Sequence, residues 1–178
     1  MASTISRGRW AATMTLLSTL ALTACGGGST QPEPEETRAQ DSRQFSPDPS
    51  RLPFSAVAGA PETDRWWGVL DGAGYRVEVA KSWNGRLVMY AHGYSGTGPT
   101  VNVSDPPIRE HLIRNGYAWG ASSFSKNYYD VRAGIEDTNG LALAFQRIAA
   151  QNGRPLAAPT QTYIVGTSIG GHIAAAAV

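Results

Sequence analysis

"TYIVGTSIGGH", Thr162 to His172, is the stretch on which the reading of this chain turns. A short apolar run, Thr162 to Val165, ends at Gly166; Ser168 follows two residues on, and Gly170 and Gly171 come directly after. Read locally, the run is a buried strand, the glycines mark a bend, and "IGGHIAAAAV" begins a helix. Gly166-Thr167-Ser168-Ile169-Gly170 therefore fits G-x-S-x-G with a strand before it and a helix after it, the context in which that pattern makes a nucleophile elbow. In such an elbow a cramped turn lifts the serine hydroxyl clear of the sheet. The flanking positions must be glycine because side chains there would strike neighbouring backbone. The helix that starts at Ile169 directs its free N–H groups towards the hydroxyl and so favours negative charge near it.

Upstream, the same logic recurs. "RWWGVL" (Arg65 to Leu70) and "YRVEVA" (Tyr75 to Ala80) read as strands separated by Asp71-Gly72, and Tyr75, Val77 and Val79 alternate with charged residues as on a strand with one wet face. Asn84-Gly85 turns the chain into "RLVMYA" (Arg86 to Ala91), apolar enough to be buried on both faces. A Gly/Ser/Pro-rich loop runs from His92 to about Asp105, and Asp105-Pro106 is a helix start with an N-cap acceptor and a proline in the first turn. "YAWGASSF" (Tyr117 to Phe124) is the next strand. A long helix follows between Val131 and Asn152, with Leu141, Ala144, Phe145 and Ile148 on one face and Gly153 as its stop. Strand and helix thus alternate after an opening hairpin. That predicts a three-layer α/β fold, a mostly parallel sheet with helices on both faces, and a site at the C-terminal ends of its strands. His92-Gly93-Tyr94 and Gly166-Thr167-Ser168 both fall there.

Acyl transfer needs two N–H donors aimed at the developing oxyanion. One donor in such elbows is the residue after the serine, here Ile169; the other comes from the loop after an earlier strand, which assigns the Tyr94 N–H, with Gly93 as substitute and His92 in support. Trp66 to Val178, and above all "WNGRLVMYAHGYSGTG" and "GTSIGGH", resembles the N-terminal half of an α/β-hydrolase and is similar to secreted bacterial esterases, the tannase and feruloyl-esterase-like enzymes among them. The resemblance implies a sheet of about eight strands, a Ser–His–acid triad with Ser168 as catalytic nucleophile, and hydrolysis of a small-molecule ester or amide through an acyl-enzyme. A serine peptidase of prolyl-oligopeptidase type shares the elbow and is the alternative within that class. A non-catalytic binding lipoprotein with a hydrolase-like half-fold, or a decayed gene product, are alternatives outside it.

Triads of this superfamily follow the order Ser, acid, His. The sequence runs ten residues past Ser168 to Val178, and they contain no acid. Of the three histidines, His92 belongs to the oxyanion loop, His111 to a surface helix, and His172 lies one helical turn beyond Ser168. Asp130 and Asp137, after the fourth strand, can help shape the pocket, and neither is assigned a triad role. The chain stops inside an apolar helix, "HIAAAAV", without a C-cap, and leaves the last strand with an uncovered edge. The expectation is a truncated domain over 52–178 that carries the nucleophile but is inactive alone, or nearly so.

The N-terminus has a different character. Arg7 and Arg9 precede an apolar run from Trp10 to Ala24 that is too short to span a bilayer comfortably and has the layout of an export signal. Leu22-Thr23-Ala24-Cys25 resembles the lipobox of bacterial lipoproteins, which implies a signal peptide over 1–24, lipid on Cys25, and a protein exported and held on a membrane of the bacterial cell envelope. Residues 25–51, rich in Gly, Pro, Ser and Glu and without Val, Ile or Leu up to Ser50, read as a disordered tether. Loss of residues 1–24 leaves 13 basic against 14 acidic residues, so nothing in the charge invites nucleic acid. A single cysteine forms no intrachain disulfide. No His/Asp/Glu cluster has metal-ligand spacing and no phosphate loop is present, so no metal or cofactor is expected. Oligomeric state is not legible in the sequence.

Overall fold

The computed structural model describes residues 42–178. The segment expected to be an export signal, Cys25 and most of the expected tether lie outside the described residues. Seven strands and three helices follow in order: β1 (Ser46–Pro47), β2 (Thr63–Leu70), β3 (Ala73–Ala80), β4 (Arg86–Ala91), β5 (Thr100–Val101), α1 (Arg109–Arg114), β6 (Ala118–Ser122), α2 (Val131–Gln151), β7 (Gln161–Gly166) and α3 (Ile169–Ala176). The main sheet has the order β2-β3-β6-β4-β7. Strand β3 runs antiparallel to both β2 and β6, whereas β6, β4 and β7 are mutually parallel. Only β3 therefore opposes the other four strands. The β2–β3 hairpin closes through Asp71 and Gly72, at φ 50 and 86 degrees. Positive φ at both central positions gives a tight two-residue turn the twist its strands require.

Helices cover both faces, as the alternation of elements predicts. Helix α2 lays Leu141, Phe145 and Ile148 on Val77, Val79, Leu87 and Met89. On the opposite face Val88, Tyr90, Trp119 and Ala121 pack against Leu112 of α1 and against Phe54. Strand β4 supplies alternate residues to the two cores, which is why its run is apolar throughout. Helix α3 docks Ile169 and Ile173 on Ala91 and Phe124 beside α2.

The structure corrects three expectations. The first is the wet face of β3: Arg76 is largely covered and Glu78 is fully buried. The Glu78 carboxylate accepts from Thr63 Oγ1 at 2.6 Å. It also accepts from Trp119 Nε1 at 2.8 Å and from Arg109 Nε at 2.7 Å. A charge can sit there because both of its oxygens are engaged. The second is the helix start, for Asp105 does not cap a helix. Its carboxylate bridges Arg76 and Arg109, both at 2.8 Å, and α1 starts only at Arg109, after a turn through Pro106 and Pro107.

The third is the boundary of the folded part, which starts earlier than Leu52, so the tether does not extend to residue 51. Strand β1 pairs with β5 in parallel, and Arg76 holds the following segment by donating to the carbonyls of Leu52 (2.8 Å) and Arg51 (2.7 Å). Arg109 adds a 2.6 Å bond to the Ser55 carbonyl. The two guanidinium groups flank the Phe54 ring. Composition alone offers residues 46–51 no apolar anchor. Their order comes from partners on β3 and β5, far downstream in the chain.

Candidate active site

The site is assembled at the C-terminal ends of β4, β6 and β7. Strand β7 ends at Gly166, and Ser168 takes φ 56 and ψ −124 degrees. An L-residue enters that region only when its surroundings force it. The surroundings are backbone. A Cβ on Gly166 would fall on the Gly170 carbonyl, and one on Gly170 would fall on the carbonyl of Ala91. The turn is therefore closed by contacts that tolerate only hydrogen at both positions. Thr167 N–H donates to the Ala91 carbonyl (3.3 Å), and the Thr167 hydroxyl shares a 3.0 Å hydrogen bond with the Tyr90 phenol. Both contacts fasten the bend to the end of β4. Ser168 is solvent-exposed and Ile169 is buried. Helix α3 begins immediately, with Gly170 N–H on the Thr167 carbonyl and Gly171 N–H on that of Ser168, both at 2.9 Å.

The loop after β4 meets this bend. A Cβ built on Gly93 would stand 3.5 Å from both Ser168 Cβ and the Thr167 carbonyl oxygen, so the two loops read from sequence are neighbours. Tyr94, next in the chain, is exposed. His92 is the brace beneath them. Its ring is buried, stacked on Phe124 with centroids 4.1 Å apart and planes 18° from parallel. Nδ1 lies 2.5 Å from the Gly93 carbonyl and 3.1 Å from Ser95 Oγ, and Nε2 lies 3.1 Å from the Ser123 carbonyl. Burial lowers the His92 pKa, outweighing the two carbonyls, which favour the charged ring. A neutral imidazole donates to one carbonyl at a time. This histidine is thus engaged on both sides and positions the loop.

The loop after β6 is a component that sequence reasoning missed. Asn127, buried, donates from Nδ2 to the carbonyls of Gly98 (2.7 Å) and Thr100 (2.9 Å), and Tyr128 N–H donates to the Gly96 carbonyl (3.0 Å). These bonds fix the far end of the loop that begins at His92. The one sequence signal was a pair of tyrosines, Tyr128-Tyr129, in a segment between strand and helix. The remaining candidates fall where their local roles put them. Asp130 caps α2 by accepting from Ala133 N–H (2.9 Å). Asp137 accepts from Ser125 N–H (2.6 Å), with burial raising its pKa. His111 is exposed on α1, and His172 is exposed on α3 with Nδ1 3.3 Å from the Tyr129 phenol.

A cavity of about 460 Å³ lies elsewhere, between α2, β7 and the end of α3, lined by Met89, Ile135, Thr138 and Ile164. Ser168 is not among the residues that line it. Among the described residues no group of three or more His, Cys, Asp or Glu gathers for a metal, and no helix is long and apolar enough to cross a membrane.

A mostly parallel α/β sheet with a strained serine in a strand-turn-helix bend is the class of architecture in hand. No family model matches the chain, and no curated protein does. Among solved structures it is similar to brefeldin A esterase, described as a bacterial homologue of human hormone-sensitive lipase (17% identity over 71% of this chain and 37% of that one, TM-score 0.42). It is likewise similar to EstE5 (19% identity, 70% and 39%, TM-score 0.41) and to DphMB1 (20% identity, 76% and 47%, TM-score 0.46). The chain spans less than half the length of each of these three proteins.

Proposed function

We propose that this chain carries the nucleophile and oxyanion-binding part of a serine hydrolase acting on carboxylic esters of small molecules. One observation carries the reading: Ser168 is exposed and held at positive φ between two glycines with no room for a Cβ, beside the Gly93 loop, where a Cβ added to Gly93 would stand 3.5 Å from Ser168 Cβ. In the reaction, Ser168 Oγ would attack the ester carbonyl carbon. The carbonyl oxygen, gaining negative charge, would be stabilised by the N–H groups of Ile169 and Tyr94, with Gly93 the substitute donor. Collapse of that intermediate would release the alcohol and leave Ser168 acylated for hydrolysis by water.

No general base is assigned within residues 42–178. His92 is buried and engaged at both ring nitrogens, His111 is on α1, and His172 is paired with Tyr129. The chain by itself is accordingly expected to turn over esters slowly or not at all. Cys25 is the proposed lipid attachment point and would place the domain on a membrane of the bacterial cell envelope. The test is active-site labelling with a fluorophosphonate probe, on this chain and on any longer product that the gene's codons after Val178 encode with an acid and a histidine. Labelling of Ser168 in the longer product, abolished by Ser168→Ala, supports the reading. Absence of label there overturns it. Nitrophenyl esters against peptide anilides then separate esterase from prolyl-oligopeptidase-like peptidase.

A further inference from the structure

We propose that Tyr128 and the strap formed by residues 43–47 are positioning residues for the oxyanion loop, holding the Gly93 and Tyr94 amides in place beside Ser168; this deepens the reading of Ser168 as the nucleophile and rests on it. The loop touches the bend at its start, where a Cβ on Gly93 would stand 3.5 Å from Ser168 Cβ. From Gly93 to Thr100 none of its residues is buried, so it has no apolar core of its own. Its order comes instead from donors that reach its carbonyls from outside. Tyr128 N–H donates to Gly96 (3.0 Å), Asn127 Nδ2 to Gly98 (2.7 Å) and Thr100 (2.9 Å), and Ser46 N–H to Pro99 (3.0 Å). Four of its carbonyls are thus held by two segments remote in sequence.

Tyr128 donates from a strained backbone, at φ 69 degrees. A bulky residue stays in that region only where its surroundings over-determine it. The strap supplies those surroundings. The Arg43 guanidinium lies over the Tyr128 ring, 3.7 Å from its centroid. The Phe45 ring meets the same ring edge to face, at 6.2 Å and 75°. Directly after Phe45, Ser46 and Pro47 pair with Thr100 and Val101 as β1 and β5. The strap is anchored in turn on β3, where a Cβ on Gly74 would come 3.0 Å from Pro47 Cβ. It therefore grips the loop twice, through the Tyr128 ring and through β5. An N–H stabilises a developing oxyanion only if it is already oriented when the charge forms. The strap fixes the loop that carries that N–H without itself touching Ser168.

The experiment is nitrogen-15 NMR on the full chain: wild type, Arg43→Ala with Phe45→Ala, and Arg43→Lys with Phe45→Tyr, which keeps a cation and a ring. Two quantities are read, the N–H order parameters of Gly93 and Tyr94 and the exchange rate of the Tyr128 amide. Order parameters near about 0.85 in wild type and in the conservative pair, falling below about 0.6 in the alanine pair, support the positioning role. Exchange at Tyr128 should quicken at least about twofold in the alanine pair alone. The Phe145 amide in α2 is the internal reference and should not change. If it does, Arg43→Ala alone decides the matter, because Arg43 is exposed and its truncation leaves the core intact. Unchanged or already low order parameters at Gly93 and Tyr94 overturn the proposal. So does loosening confined to residues 96–101, and unchanged exchange at Tyr128 overturns the part given to that residue. Neither readout uses the Ser168 hydroxyl, so failure of the strap is read from these amides and failure of the nucleophile from the fluorophosphonate label.

Discussion

Gly166, Gly170 and Gly140 are the same residue type under opposite constraints. At Gly166 and Gly170 an added methyl would enter the backbone of the elbow, whereas at Gly140, within α2, a Cβ meets nothing within 4 Å. Gly166→Ala and Gly170→Ala should each lower unfolding free energy by at least about 1–3 kcal/mol, since backbone rather than a flexible side chain must yield. Gly140→Ala should raise it by about 0.4–1 kcal/mol by restricting the unfolded chain and favouring the helix. Urea denaturation of the three variants reads both signs in one assay. The glycine spacing that first singled out Ser168 was thus fully legible, because the need for glycine arises within a single turn of chain. The Tyr129–His172 contact was not. It joins residues 43 apart, and nothing in either local pattern announces the other.

Elements were legible wherever a periodic apolar pattern met a single neighbour. Helix α2 spans Val131–Gln151 because Leu141, Phe145 and Ile148 recur at helical spacing, and it stops before Gly153, which takes a positive φ. Strand β3 misled because alternation of Val with Arg and Glu ordinarily means water on the polar face. Here α1 and the segment after β1 cover that face, and Glu78 survives burial only through Arg109, Thr63 and Trp119. Glu78→Ala should therefore cost at least about 1–3 kcal/mol by leaving the buried Trp119 Nε1 and Thr63 Oγ1 without their acceptor, while Arg109 keeps Asp105. The exposed pair Arg132–Glu136 on α2 has nearly the same separation, 2.8 Å, but sits in water. Glu136→Ala should cost no more than about 0.5 kcal/mol. Chemical denaturation distinguishes the two at once, and comparable losses would contradict the role given to burial.

The molecule as a whole brings one titrating group to the centre of its candidate site. His92 has its pKa lowered below the ordinary 6.5 by burial, so the unfolded chain binds its proton at a higher pH than the folded one does. The stability that depends on its neutrality is fully present above about pH 6.5 and is lost as pH falls from there through the folded value. Urea midpoints taken across that window should decline towards acid in wild type, and His92→Gln, which cannot gain the proton, should flatten the decline. An unchanged slope would remove His92 as its source. By itself the sequence determined the alternation of elements, the strand-turn-helix bend at Ser168 and its glycines, and the opening hairpin, all decided by steric and hydrophobic rules acting over a few residues. Only the tertiary structure decided that residues 46–55 belong to the fold, that Glu78 is buried, that the loop after β6 secures the one after β4, and that Tyr129 meets His172. Those depend on partners brought together across the sheet, where the free energy of a side chain is set by what covers it and not by its neighbours in the chain.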